Sequence, residues 1–423
     1  MIDIKLLRED PQSFQDTAKA KNITIDSSHI VTIDKKHREL SQVVQTIREE
    51  RNALVGTIKG KPTDEQVIKG KKLKEQLELQ EHALQAVALE LQQELKKIPN
   101  PIKPDVKVGK DESENEVIKK VGKPTEFDFI PKDHQELGEL LDVIDTQTAA
   151  DISGARFTYL KNEGALLEFG LKQLAFELLI KEGFIPIIPP VLIKKEIMDE
   201  LGYTAMGEDE NIYKIAQDDL YLVGTAEQSI VPIYKNKTLR KEELPKRYVG
   251  FSTCFRREAG SYGKDTKGIF RMHQFDKVEM VSFVAKGEDD KEHAYLLSLE
   301  EKFFELLEIP YQVVSICSGD LGFNAARKYD IEAWIPSQKK YREVTSTSTV
   351  TDFQSRGLNM KYQEGVSKEF LHVLNGTAYS MNRPIVAILE NFQQKDGSVI
   401  VPKILQKYVG KQVLMPRKPL KNI

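Results

Sequence analysis

Two heptad seams separated by a Gly/Pro break constrain this chain more than any other feature. Ile33, His37, Leu40, Val44, Ile47, Arg51, Leu54 and Ile58 alternate in steps of four and three. After Lys59-Gly60-Lys61-Pro62 the pattern resumes at Leu73, Leu77, Gln80, Leu84, Val87 and Leu91, ending near Ile98. Such seams predict an antiparallel helical hairpin. At 1.5 Å per residue its first helix would reach roughly 40 Å, too long to fold back into a compact core, so the pair is expected to project as an arm. A heptad arm most often serves dimerisation or spacing. Two details point instead to nucleic acid. The tip carries Lys59, Lys61, Lys69, Lys71, Lys72 and Lys74 against Asp64 and Glu65, and the seam accepts Arg51 and Gln80, which leaves one side open to solvent. A basic tip suits contacts to a phosphate backbone. Before the arm, Asp10-Pro11 reads as a helix start, with a short helix ending near Asn22.

A chain of 423 residues predicts about two or three domains. The net charge of -3 requires any nucleic-acid contact to be local. The start, MIDIKLLREDPQ, lacks a signal-peptide core, and no window approaches the ~18 apolar residues of a membrane span. Cys254 and Cys317 are too few for a disulfide framework and lack metal-site spacing, so buried reduced thiols are expected. These features predict a cytoplasmic protein with no membrane partner.

Pro99-Asn100-Pro101 and Pro104 stop the arm, giving an N-terminal domain over 1–100, a charged linker over 101–125 and a second domain over 126–423. Asp133 and Glu136 form a capping box. A helix over Glu163 to Lys181 carries a broad apolar stripe that must be covered. GFIPIIPPVLI then reads as a proline-bearing edge strand. Strands are expected at Tyr221 to Val223, Tyr248 to Phe255, Ile269 to Phe283, Tyr311 to Ile316, Ile331 to Ile335, Tyr341 to Thr345 and Ile385 to Leu389. The fold class is therefore α+β: a coiled-coil arm followed by a mainly antiparallel sheet with flanking helices.

The chemistry concentrates in TCFRREAGSYGKDTKGIFRMHQFDKVEM, Thr253 to Met280. Its two strands enclose a loop, Ala259 to Gly268, with three glycines, two lysines and an aspartate. Arg256, Arg257 and Glu258 end the first strand and Arg271 opens the second. Arginines facing each other across a hairpin make a bidentate clamp for phosphate oxygens. A solvated hairpin with a charged tip is the ordinary alternative. The pattern FRxEAG followed by RxHQFDKVE resembles the second signature motif of class II aminoacyl-tRNA synthetases, in the form seen in bacterial-type seryl-tRNA synthetases. No GxGxxG or Walker-type loop occurs, which argues against a Rossmann or P-loop nucleotide site.

The resemblance covers nearly the whole chain and implies a class II catalytic domain. It implies that Arg256 binds the α-phosphate and the attacking carboxylate, that Glu258 contacts the adenine amino group, and that adenine stacks on Phe275, with Arg257 and Met272 beside them. In YREVTSTSTVTDFQSRG, Glu343, Val344, Thr345 and Ser346 match the segment that handles ATP. A carboxylate and a hydroxyl three positions apart are hard ligands suited to Mg2+, although EVTS alone reads as a surface strand end. Arg383 in NRPIVAILEN resembles the third-motif arginine that binds the γ-phosphate, while Ala378, Asn382 and Pro384 depart from the usual residues there. Thr225, Ala226 and Glu227 match the segment holding the substrate amino group and carboxylate, and Glu279 and Thr377 match the residues at its hydroxyl. Arg256 and Arg383 are the residues expected to act in catalysis. The resemblance further implies a homodimer formed through GFIPIIPPVLI, an arm that grips tRNA(Ser), and a serine–tRNA ligase that also serves tRNA(Sec) where the host has one. A carrier-protein ligase, whose relatives lack an arm, and a silent tRNA-binding paralogue are the alternatives.

Overall fold

A computed structural model describes residues 1–205, 210–259, 265 and 267–417. It divides into two compact units, Met1–Pro101 and Ile102–Ile423.

The first unit contains α1 (Ile4–Glu9), α2 (Pro11–Ala20), α3 (Ser27–Gly56) and α4 (Asp64–Leu95). Asp10 accepts the Ser13 N–H and Pro11 takes the first position of α2, where its missing N–H costs nothing. Helix α4 starts well before Leu73, because Thr63 and Gln66 cap each other's backbone N–H groups. This places Lys69, Lys71, Lys72 and Lys74 on its first turns, with Lys59 and Lys61 in the connection, and all six side chains are exposed. The seam buries Ile33 and Val44 against Leu73, Leu77, Val87 and Leu91, while Arg51 is exposed. Arg48 and Glu81 add an ion pair at 2.7 Å. Both are exposed, so that pair contributes well under ~1 kcal/mol, and the apolar seam carries the hairpin. At the base Leu7, Phe14, Ile25, Ile30 and Ile98 close a small core.

The second unit is organised on one eight-stranded sheet. Its members are β1 (Glu116–Val121), β2 (Ile185–Ile187), β3 (Lys246–Phe255), β4 (Gln274–Val284), β5 (Tyr311–Ser315), β6 (Arg327–Ile335), β7 (Lys340–Thr351) and β8 (His372–Ser380). Their spatial order is β1-β5-β6-β7-β8-β4-β3-β2, and every pairing is antiparallel except that of β2 with β3. The proline-bearing β2 sits at an edge, where the missing N–H of Pro186 is harmless. Helix α5 (His134–Leu141) begins at the reciprocal Asp133/Glu136 cap. Helices α6 (Asn162–Lys181), α7 (Asp289–Leu306) and α8 (Asn382–Asn391) complete the body, with α7 packed on β7 and β8 and α8 on β6 and β8. The core joins Leu167, Leu171 and Leu174 of α6 to Phe303 and Phe304 of α7 and to the inner faces of the central strands. No helix among the described residues is long and apolar enough to cross a membrane. Cys254 and Cys317 are free buried thiols.

Four elements differ from the sequence expectation, among them the unforeseen strand β8. Ile385–Leu389 is helix, inside α8, because five consecutive apolar residues buried all round carry no period to separate strand from helix. Glu116–Val121, within the segment read as linker, pairs with β5 although its side chains face water; backbone pairing rather than burial makes it a strand. The second hairpin strand opens at Gln274, since Ile269, Phe270 and Met272 are buried in irregular backbone before it.

Glu300 of α7 is fully buried behind the sheet, and a Cβ on Gly376 of β8 would stand 2.9 Å from its Oε1. Burial, reinforced by the Glu279 and Asp330 carboxylates, pushes its carboxyl well above the ordinary range. A raised carboxyl stabilises the fold fully below its unfolded value and loses that contribution as pH rises toward its folded value. Glu300→Gln removes the titration. The variant should therefore gain stability relative to the native chain by up to ~1.4 kcal/mol per pH unit above about pH 4.5. Urea midpoints of the transition of the second unit, measured from acid to neutral pH, check this; parallel curves would exclude a protonated Glu300.

Candidate active site

The open face of the sheet supports a cavity of about 660 Å³, wholly within the second unit. The ends of β3 and β4, the middle of β7, the end of β8 and the first turn of α8 converge on it. Arg256 follows β3 and is fixed twice through its own groups: its backbone N–H donates to the His273 carbonyl at 2.9 Å, and its Nε donates to the Gly224 carbonyl at 3.1 Å. Its guanidinium carbon lies 5.3 Å from the ring centre of Phe275. Strand pairing opposes Gln274 to Phe255, so Arg256 faces His273 across the hairpin rather than Arg271, which precedes β4. Arg271 still lines the same cavity, ion-paired with Glu258 at 3.1 Å and with Asp265 at 3.1 Å. Glu258 reaches it from a left-handed backbone, φ 51°, that turns the chain as β3 ends. Most of the glycine- and lysine-rich loop, 260–264 and 266, lies outside the described residues.

Opposite, Glu343 meets Arg383 at 2.9 Å. Burial alone would raise the Glu343 carboxyl, but Arg383, Lys328 and Arg256 outweigh it and hold it down to about 2. Glu343, Val344, Thr345 and Ser346 all line the cavity. Thr345 also donates its hydroxyl to the Thr377 carbonyl, tying β7 to β8. Met272, Phe275 and Arg383 are in the wall too, whereas Arg257 is not; its backbone N–H donates to Asn211.

At the inner end Thr225, Glu227 and Thr377 face the cavity, with Ala226 packed in the apolar layer beneath. Glu279 is only 1% exposed and stands behind this wall. Its Oε2 accepts from Lys277 Nζ at 2.6 Å and from the Thr377 hydroxyl at 3.2 Å, and the same Nζ donates to Thr225 Oγ1 at 3.2 Å. Glu227 accepts from Gln354 Nε2 at 2.8 Å; burial raises its carboxyl despite that bond, and Glu279 adds to the rise. One polar network therefore spans both halves of the expected amino-acid pocket.

The sequence reading missed Lys277, Lys328, Tyr203, Asn211, Asn375 and Asn382, which also line the cavity. Lys277 carried a usable signal, because it lies two residues from Glu279 on one strand and so on the same face. Lys328, Tyr203 and Asn211 come from segments distant in sequence and gave none. Among the described residues no group of three or more His, Cys, Asp or Glu side chains is arranged to hold a metal ion.

The arrangement gathers the cations Arg256, Lys328 and Arg383 and the polar network of Thr225, Lys277 and Thr377 around one cavity. Comparison with known proteins agrees at every level. The family model for the seryl-tRNA synthetase N-terminal domain matches residues 1–102, and that for the class II tRNA synthetase core domain (G, H, P, S and T) matches residues 212–392. The chain is 45% identical to a serine–tRNA ligase of Thermobifida fusca, covering 98% of this chain and 99% of that one. It is 43% identical to the one of Dictyoglomus thermophilum, over 99% of this chain and all of the relative. The seryl-tRNA synthetase of Pyrococcus horikoshii complexed with ATP superposes with a TM-score of 0.92 at 38% identity, covering 99% of this chain and 100% of that one. The cytoplasmic serine–tRNA ligase of Naegleria fowleri in complex with AMP gives 0.87 at 30% identity, over 99% of each chain. With an N-terminal helical arm, a class II core and full-length similarity of this degree, the chain belongs to the bacterial-type seryl-tRNA synthetases, a family of class II aminoacyl-tRNA synthetases.

Proposed function

We infer that this chain joins L-serine to tRNA(Ser) in the cytoplasm through a seryl-adenylate, using one cavity for both steps. The observation that carries the reading is the convergence on that cavity of Arg256, Glu343 and Arg383 with the network of Thr225, Lys277, Glu279 and Thr377. In the first step a serine carboxylate oxygen attacks the α-phosphorus of ATP and the bond to pyrophosphate breaks. No protein nucleophile is required, so catalysis is positioning and charge stabilisation. Arg256, held from behind by its Nε, meets the α-phosphate and the attacking carboxylate. Phe275 carries the adenine and Glu258 reads its amino group, with Arg257 and Met272 alongside. Arg383 takes the γ-phosphate. Thr225 and Glu227 hold the serine ammonium and carboxylate, while Glu279 and Thr377 receive its hydroxyl. In the second step a hydroxyl of the terminal tRNA ribose attacks the serine carbonyl and AMP leaves.

Glu343 and Ser346 fit Mg2+: both line the cavity, the carboxylate stays ionised, and both offer hard oxygen ligands. Bound there, Mg2+ would neutralise charge between the phosphates. We assign residues 1–100 to tRNA binding, 101–125 to the connection and 126–423 to catalysis. The tip lysines 59, 61, 69, 71, 72 and 74 contact the tRNA backbone, and the same grip would serve tRNA(Sec). Exposed Phe169, Ile180, Ile185 and Ile188, around α6 and the edge strand, support a homodimer. The arm favours tRNA over a carrier protein as acceptor.

Pyrophosphate exchange across the amino acids tests the reading directly, with serine the expected substrate. Glu279→Ala should cost serine activation about 2–4 kcal/mol while leaving ATP binding nearly unchanged; normal activation would remove Glu279 from the pocket. Arg256→Ala and Arg383→Ala should each abolish or severely slow adenylate formation, and lysine should rescue poorly because a point charge cannot replace a planar fork. Near-normal exchange by either lysine variant would rule out that geometry. Replacing Lys69, Lys71, Lys72 and Lys74 by alanine should leave tRNA-free exchange intact and flatten the salt dependence of tRNA binding by up to about four contacts' worth of slope. An unchanged slope would sink the assignment of the arm.

A further inference from the structure

Hydrogen-bond accounting at the inner end of the cavity leaves one group without an assigned role. Thr377 donates its only hydroxyl proton to Glu279 Oε2, so toward the cavity it offers lone pairs. Glu279, a carboxylate, also only accepts. A serine hydroxyl is both donor and acceptor. These two residues can take its proton but cannot satisfy its oxygen. Lys277 is 8% exposed, lines the cavity, and has three N–H donors. Two are used, at 2.6 Å on Glu279 and 3.2 Å on Thr225.

We propose that Lys277 is a specificity residue whose third N–H donates to the hydroxyl oxygen of the substrate, completing a donor-and-acceptor pair that only an alcohol side chain matches. The proposal rests on the serine reading and extends it. Alanine would leave the buried ammonium facing an apolar methyl, an unpaired polar group in a closed site. The same bonds make Lys277 the brace between the two halves of the pocket, since Thr225 lies on the ammonium and carboxylate side and Glu279 on the hydroxyl side. Lysine suits this place because a compact ammonium can point its donors in three directions, which a planar guanidinium cannot.

The test is pyrophosphate exchange by the full-length chain with L-serine and L-alanine. In Lys277→Met the serine-to-alanine ratio of kcat/KM should fall at least about tenfold while the KM for ATP stays within about twofold. Lys277→Gln, which keeps a neutral donor at similar reach, should fall in the same direction and less far. A folded variant that loses serine and alanine activity in equal proportion overturns the proposal, because Lys277 would then only support the pocket. A measurement on the unaltered chain provides an independent check. L-2,3-diaminopropionate at about pH 6 replaces the hydroxyl by a charged amine, which an exposed Glu279 would attract and the Lys277 ammonium would repel. It should fail to inhibit serine-dependent exchange at concentrations where serine saturates; inhibition matching serine's own affinity overturns the proposal. Unaltered exchange with serine reads the proposed function, whereas the ratio and the inhibitor read Lys277 alone.

Discussion

Strand register across the middle of the sheet is the constraint on which everything else depends. Glu279 and Thr377 come from strands almost a hundred residues apart and meet because β4 and β8 pair them directly. Lys277 opposes Ser380, Val278 opposes Tyr379, and the next pair is Glu279 with Thr377, so Ala378 is an extra residue in β8. That bulge lets Lys277, Ser380 and Thr377 all line the cavity although strict alternation would turn some of them away. A one-residue slip of β4 would turn Lys277 and Glu279 to the helix side of the sheet. The packing that prevents the slip is on that other side, where Tyr379, Phe303 and Phe304 are fully buried among aliphatic neighbours. The apolar core thus sets the geometry of the site, and reaches its wall at Phe270, Met272 and Val344.

Charge balance is the second constraint, and it is local. Glu279 raises the carboxyls of Glu227 and Glu300, Asp330 raises that of Glu300 and Glu343 that of Asp330, within a chain whose net charge is only -3. Burial drives Asp330 up to about 7 and Glu343's charge adds to this, even with Lys328 at 3.1 Å; Glu343, with Arg383, Lys328 and Arg256 around it, goes the other way. The difference lies in the number of cations each carboxylate meets. Three cations keep Glu343 ionised. Arg256, Lys328 and Arg383 all line the cavity, so the chain on its own gathers three cations around one carboxylate there.

Legibility in the sequence followed the locality of the physics. The seam of the arm could be read because a heptad is a local rule, and the buried residues Ile33, Val44, Leu73, Leu77, Val87 and Leu91 are its positions, although Arg51 is exposed and α4 already begins at Asp64. Local caps were equally plain at Asp10 and Asp133, and Thr63 with Gln66 carries the same kind of signal for the start of α4. Sheet membership was less legible. The central strand β8 was not anticipated, since His372 to Ser380 mixes polar and apolar residues with a bulge, and Ile385 to Leu389 looked like the strand instead. Both errors come from tertiary burial overriding periodicity. Glu343 and Arg383 stand out only through motif resemblance, whereas Arg256 also stands out as one of the hairpin arginines. What the motifs could not convey is which polar atoms satisfy one another. That Thr377 donates to Glu279, and that Lys277 holds Glu279 and Thr225 together, are facts about distances below 3.5 Å between residues of different strands and loops. The pairing of polar groups in the pocket is decided at that level, where a sequence names the groups and only the fold pairs them.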